Sequence, residues 1–392
     1  MTVLPAPAAR RAQKSPAGPP PMIAMVSFTV LIGRPHEASV LGCAGRQMDI
    51  GAGSHGGTMN LTWIALLTGL ALLTAPAAAE VSPRYWLDDT AGTFSHQQMV
   101  SVENPSAVDG LAVSFNATYL PGMRPDFADI RFTDTNGTPL PYWIENTTAG
   151  SHARVWLALP ARATAVTMLY GNPDAREAGD PDAVFPFFED YEQGDLSRWS
   201  SCGSSALVQS EVVRSGGYAG DINVSDPDLP EFNERRVCTA NISAGPLVIE
   251  GDFRVSEFGR WCGSGYIQAW NGTDRLYALH LRNGSVQHYY DGDHRNFSAD
   301  RQAETDTWYH VRVVLDTPNA TEHAWMDGEY LGSAPLRFAD GSPVPEDVIF
   351  DDFALIGSSA WYSGDPHHFY ADNVVVRKYV PVEPVLSYGD GS

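Results

Sequence analysis

Lysine is nearly missing from this 392-residue chain. Only Lys14 and Lys378 occur, and 25 basic residues stand against 47 acidic ones, for a net charge of −22. A surface of that sign repels phosphate, which argues against a nucleic-acid partner. Sustained helical periodicity is also lacking, so a helical bundle is excluded. Long apolar runs are absent apart from Leu61–Leu73, whose 13 residues are too few for an ordinary membrane span. Cysteine is scarce, at four residues. No Cys-x-x-Cys or Cys/His spacing suggests a thiolate zinc site. There is no Gly-rich phosphate loop and no Gly-x-Ser-x-Gly elbow.

What is present begins with that short apolar run. Its length suits the core of a secretory signal, and Ala77-Ala78-Ala79 supplies the small residues a signal peptidase reads. The expected reading is a signal at 59–79, cleaved after Ala79 or retained as an N-terminal anchor. Residues 1–58 are then a mis-called or disordered extension. Export also permits a disulfide. Cys202, Cys238 and Cys262 follow the signal, and both Cys202–Cys238 and Cys238–Cys262 are open as pairings. Nine of the 13 asparagines after residue 79 sit in Asn-x-Ser/Thr: Asn116, Asn136, Asn146, Asn223, Asn241, Asn271, Asn283, Asn296 and Asn319. Composition alone would give roughly two. The excess predicts a glycosylated extracellular or cell-surface protein.

The remainder reads as all-β. In Leu247–Val255, Leu247, Ile249, Phe253 and Val255 share one face, and Glu250, Asp252 and Arg254 the other. Val311, Val313 and Leu315 likewise alternate with His310 and Arg312. Asn136-Gly137, Asn271-Gly272, Asn283-Gly284 and Asp327-Gly328 mark turns between such runs. Two β-sandwich domains are expected, at 80–178 and 184–380, with a polar tail at 381–392.

Certain phrases carry a resemblance. Asp129-Ile130-Arg131-Phe132-Thr133-Asp134, Leu140-Pro141-Tyr142-Trp143-Ile144-Glu145 and Tyr170-Gly171-Asn172-Pro173 occur in that order. This segment resembles a domain of unknown function found in archaeal and bacterial surface proteins. Further on come Phe187-Phe188-Glu189-Asp190, Trp308-Tyr309-His310-Val311-Arg312-Val313, Met326-Asp327-Gly328 and Tyr370-Ala371-Asp372-Asn373-Val374. That half resembles a concanavalin-A-like lectin/glucanase (laminin-G-like) jelly roll. The resemblance implies one structural calcium, held by Asp372 with Glu189 or Asp190 and backbone carbonyls.

A retaining glycosidase would need two carboxylates about 5–5.5 Å apart. Glu250, Asp252 and Glu257 lack the spacing that laminarinase-type relatives use, and the sequence reads Glu250 and Asp252 as the solvent side of a strand. A sugar surface is better represented. Tyr266, Gln268 and Trp270 share one strand face, His280 and Arg282 a face of the next, and Trp361 lies in a loop. Flat rings and planar polar groups suit pyranose faces and hydroxyls, although core packing is the competing use of the same residues. The expectation is therefore a cell-surface protein that binds carbohydrate or another envelope component without catalysis. A polysaccharide-cleaving glycosidase or lyase, and a purely structural envelope component, are the alternatives.

Overall fold

The structure, a computed structural model, describes residues 85–86, 93–203, 206–222, 238–258, 265–282, 284–298, 300–357 and 368–388. Their regular structure is almost wholly antiparallel strand, as the alternation predicts, and forms two sandwiches. The one helix among the described residues is the single turn Pro181–Val184. The Asp180 side chain caps it by accepting from the Asp182 N–H at 3.0 Å, and proline occupies its first turn.

The first sandwich packs a four-stranded sheet on a three-stranded one. The former runs Val385–Tyr388, His96–Glu103, Ala165–Tyr170, Arg131–Thr133; the latter runs Leu111–Thr118, His152–Leu159, Tyr142–Thr148. Phe115, Phe127, Phe132, Leu157 and Met168 fill the space between them. One sequence expectation is corrected here. Within the expected tail, Val385–Tyr388 is a strand that pairs with His96–Glu103 and buries Leu386 in this core. The short Val-Leu-Ser-Tyr run alternates, but its Pro-rich approach hid it.

The second sandwich is larger and of jelly-roll type. Its seven-stranded sheet runs Ser201–Cys202, Cys238–Ala244, Phe350–Gly357, Gly265–Asn271, Asp274–Arg282, Ser285–Tyr290, Asp293–Asn296. Facing it, the eight-stranded sheet runs Leu207–Gln209, Ala219–Asp221, Phe369–Lys378, Leu247–Val255, Tyr309–Asp316, Thr321–Met326, Glu329–Pro335, and Phe187–Glu189 pairs beside Phe369–Lys378. The inward set of Leu247–Val255 is the predicted one, and it meets Phe353, Phe369 and Val376 in one core. The Asp327-Gly328 turn is a two-residue hairpin with φ 50° and 80°, the left-handed pair that matches strand twist. Cys202 and Cys238 face each other in register and form the disulfide. Cys262 lies outside the described residues.

An aromatic seam joins the two sandwiches. Phe185 and Phe188 wedge against Trp143 and Trp156 of the first and Val375 of the second. Ring centroids lie 4.7 Å apart for Trp143–Phe188 and 5.4 Å for Trp156–Phe185. Arg377 stands over Trp156 at 5.6 Å, and the Lys378 ammonium donates to the Asp109 carbonyl at 2.7 Å.

Candidate functional site

Residues directly opposite on neighbouring strands present their side chains to the same face. Register therefore assembles the outer face of the seven-stranded sheet into rows. One row is Asn241, Asp352, Trp270, Arg275. The next is Thr239, Ala354, Gln268, Tyr277, Tyr289, His294. The third is Ile356, Tyr266, His280, Gln287, Asn296. Of the residues singled out from sequence, Tyr266, Gln268, Trp270 and His280 are thus brought together. Arg282 stands at the end of the His280 strand, opposite Ser285. Trp361 lies outside the described residues.

The rings of this face contact one another closely. Tyr266 stacks on His280 at 3.9 Å, Tyr277 meets Tyr289 edge-on at 4.9 Å, and Tyr289 lies 4.5 Å from His294. The Arg275 guanidinium sits 4.8 Å over Tyr277 and 5.7 Å over Trp270. Trp270 Nε1 donates to Gln268 Oε1 at 3.1 Å, and Gln287 Nε2 donates to Asn296 Oδ1 at 2.8 Å. His280 and His294 hydrogen-bond through their Nδ1 atoms, 3.0 Å apart. Burial, then the neighbouring His294 and Arg282, drive the His280 pKa well below the usual imidazole range. Burial and Arg282 bring His294 down to about 4. Both imidazoles are therefore neutral at pH 7. The fully buried His280 keeps an Nε2 with no partner, and Gln287 Oε1 is likewise unpaired. Buried polar atoms are seldom left so. The face combines flat rings, neutral hydrogen-bonding groups and arginine. Tyr277, Tyr289, Gln287, His294, Asn296 and Arg275 were missed in the sequence; the Gln287/Tyr289 alternation was the available signal.

The carboxylates Glu250 and Asp252 lie on the outer face of the other sheet. They are not the solvated side that sequence suggested. Asp252 is only 7% exposed, and Glu250 lies beneath cations. Arg377 Nε donates to Glu250 Oε1 at 3.1 Å, and His310 stands 3.9 Å from Glu250 and 3.5 Å from Asp252. Burial alone would raise the Glu250 pKa, but His310, Arg377 and Arg312 together hold it at about 2. The two carboxylates push His310 up to about 9 against burial. A carboxylate held so firmly ionised cannot serve as a general acid near neutral pH.

Glu189 and Asp372 lie on paired strands, the first and last of the second sandwich, and the charges of both act on the fully buried Tyr191. Burial raises Glu189 to about 7 and Asp372 to about 6. Asp372 Oδ2 accepts the Arg214 and Ser215 N–H groups at 3.1 Å each, and Glu189 Oε1 accepts that of Tyr191 at 2.8 Å. Glu189 Oε2 and Asp372 Oδ1 are buried without partners. Gly220 is fixed here by close approach, since a Cβ would meet the Tyr191 ring at 2.5 Å. Asp190 turns instead to Arg198, 3.7 Å away. Among the described residues, no three His, Cys, Asp or Glu side chains form a metal-binding group.

Of the Asn-x-Ser/Thr sites, Asn116, Asn136, Asn146, Asn241, Asn296 and Asn319 are exposed, and Asn271 is half-buried, with its amide donating to the Ile349 carbonyl at 2.7 Å. Asn223 and Asn283 lie outside the described residues, as do the apolar run and its alanines. No described helix is long and apolar enough to cross a membrane.

Residues 126–202 match the profile of a family described as a domain of unknown function, DUF2341. No curated protein sequence matches the chain. Among solved structures, a sialidase is similar at 13% identity and TM-score 0.36, over 58% of this chain and 20% of the sialidase. The chain thus spans about a fifth of that protein's length. An alginate lyase from Corynebacterium sp. is similar at 9% identity and TM-score 0.30, over 66% of this chain and 98% of the lyase. A Bacillus licheniformis β-glucanase is similar at 10% identity and TM-score 0.28, over 47% of this chain and 96% of the glucanase. These neighbours are named for action on carbohydrate, but likeness of this order says nothing of what the present chain binds.

Proposed function

We propose that this is an exported, N-glycosylated cell-surface protein. Its second sandwich, a lectin- or laminin-G-like module, recognises carbohydrate without cleaving it. The supporting observation is the ring-and-amide face of the seven-stranded sheet, where His280 Nε2 and Gln287 Oε1 have no partner among the described residues. A sugar hydroxyl can donate to Gln287 Oε1 and hydrogen-bond His280 Nε2, and the half-buried Tyr289 offers ring surface beside them. The N-terminal sandwich acts as a spacer or second binding module.

The test is a glycan array with residues 80–392, followed by titration of each hit. Gln287→Ala and Tyr289→Ala are expected to weaken binding about tenfold each, the scale of one lost hydrogen bond or ring contact. Undiminished affinity in both variants would remove the site. Accumulation of reducing ends or unsaturated products from any polysaccharide would replace recognition with turnover.

We further propose that a calcium ion is held where the first and last strands meet. Glu189 Oε2 and Asp372 Oδ1 are oxygen donors lacking a partner, as a hard cation requires, and backbone carbonyls would complete the set. The ion would neutralise two carboxyls that burial otherwise drives toward protonation. Chelator should lower the melting temperature by several degrees, as loss of a native-state ligand does, and Asp372→Asn should abolish that sensitivity. A melting curve indifferent to chelator rules the ion out.

A further inference from the structure

On the eight-stranded sheet, register sets out a second row across the outer face: Val375, Glu250, Arg312, Trp325, Tyr330. One end of it is covered, since Val375 packs into the seam with the first sandwich. The other end is open, and Tyr330 is 51% exposed. Beside Trp325 and Tyr330 on the same face stands His323, opposite Ser333 in the neighbouring row. Alternation assigns Ala324, Met326 and Leu331 to the core, so the outward positions of these strands would ordinarily be polar. They carry three rings instead. Centroids are 5.0 Å apart for Trp325–Tyr330, 6.1 Å for His323–Trp325 and 6.1 Å for His323–Tyr330.

These rings are held in place. The Arg312 guanidinium lies 5.1 Å over Trp325 and is anchored by Glu250 at 3.8 Å and Glu383 at 3.5 Å. The Tyr330 hydroxyl hydrogen-bonds His323 Nδ1 at 3.0 Å. Fixing rings before binding lowers the ordering cost a ligand must meet.

Charge identifies the ligand class. Arg312, Arg377 and His310 on this face are matched by Glu250, Glu383 and Asp252, all within 4 Å contacts. In a chain of net charge −22, this face carries its charges in mutually paired form. It therefore offers no free ion for a uronate or sulfate, and none for an acidic or basic peptide. Ring planes inclined at 49°, 38° and 35° to one another do not make one flat surface. They suit a single twisted chain, with one sugar on each ring, better than a planar crystalline array.

We propose that Trp325, Tyr330 and His323 form a second binding platform, on the sheet opposite the first, for a neutral pyranose chain. C–H faces of the sugars stack on Trp325 and Tyr330. Hydroxyls reach the Tyr330 hydroxyl and the His323 ring. The platform shares no residue with the face of the seven-stranded sheet, so either can exist without the other.

Affinity electrophoresis in gels containing a soluble neutral β-glucan, a neutral xylan or polygalacturonate tests this. The wild-type chain should be retarded by at least one neutral polymer. Tyr330→Ala and Trp325→Ala should each weaken that retardation about five- to tenfold, the scale of one lost ring contact. Tyr289→Ala, on the other sheet and only half-buried, should leave the Tyr330-dependent retardation in place. Unchanged melting temperatures confirm that the variants are folded; Tyr330 in particular is too exposed for its loss to unfold the sheet. No neutral polymer retarding the wild type, or Tyr330→Ala and Trp325→Ala both migrating as wild type, overturns the platform. Loss of all retardation in Tyr289→Ala alone, with its melting temperature unchanged, would also overturn it while leaving the first site standing.

Discussion

Glu322→Gln is expected to stabilise the protein, by an amount that grows with pH. Glu322 points inward between the sheets, 3% exposed, opposite Leu315 and Ala334. Burial raises its pKa well above the ordinary 4.5. Its nearest polar neighbour, His288 Nδ1, lies 3.7 Å away, and burial brings that imidazole down to about 4. Burial thus favours the neutral form of both groups over an ion pair. Below about pH 4.5 Glu322 is protonated whether folded or not, and it costs nothing extra. Above that pH the unfolded chain releases the proton and the folded chain retains it. Stability then falls by about 1.4 kcal/mol per pH unit until the raised pKa is reached. His288 acts in the opposite sense, since its folded pKa is depressed and its contribution is lost as pH falls from 6.5 toward 4. Glutamine removes the first slope and leaves the second. Urea melts should show the variant and wild type nearly equal at pH 4.5, with the variant the more stable at pH 7.5. A gap of the same size at both pH values would contradict a neutral buried Glu322.

Breaking the Cys202–Cys238 bridge also has a large expected effect. It spans 36 residues in sequence, and chain-entropy arithmetic for such a loop gives about 4 kcal/mol. The Ser201–Cys202 strand is only two residues long and lies at the sheet edge, so little else in that strand secures it. Cys238 is fully buried in the main core. Cys202→Ser with Cys238→Ser should lower the melting temperature by roughly 10 °C, and reductant should act similarly on the wild type. If the double variant melts as the wild type does, the bridge contributes nothing to stability.

Local alternation made much of the architecture legible. Leu247–Val255 and Val311–Leu315 showed their buried sets directly, because a half-buried strand must repeat every second residue. Asp327-Gly328 announced its hairpin through two residues that tolerate positive φ. Register was not legible. Nothing in the sequence says that Asp252 lies opposite His310 and Glu250 opposite Arg312, and that pairing turns an apparently solvated strand face into a cation-covered one. The bulge near Asn373, with φ 51°, was equally hidden; the ladder shifts there as Asp372 comes opposite Asp252. Tyr266, Gln268, Trp270 and His280 were found because each lies in a run whose parity is clear. Trp325 and Tyr330 were passed over because an aromatic in a strand is more often core than surface.

The return of Val385–Tyr388 to His96–Glu103 bears on how the molecule would carry a load. The larger sandwich is inserted between two strands that are hydrogen-bonded neighbours. Because these strands are antiparallel, with Val385 opposite Glu103 and Tyr388 opposite Val100, residues 96 and 388 leave the sheet at the same end. A pull on those two points would unzip the pair one hydrogen bond at a time, and the larger sandwich would feel no tension until that clasp had opened.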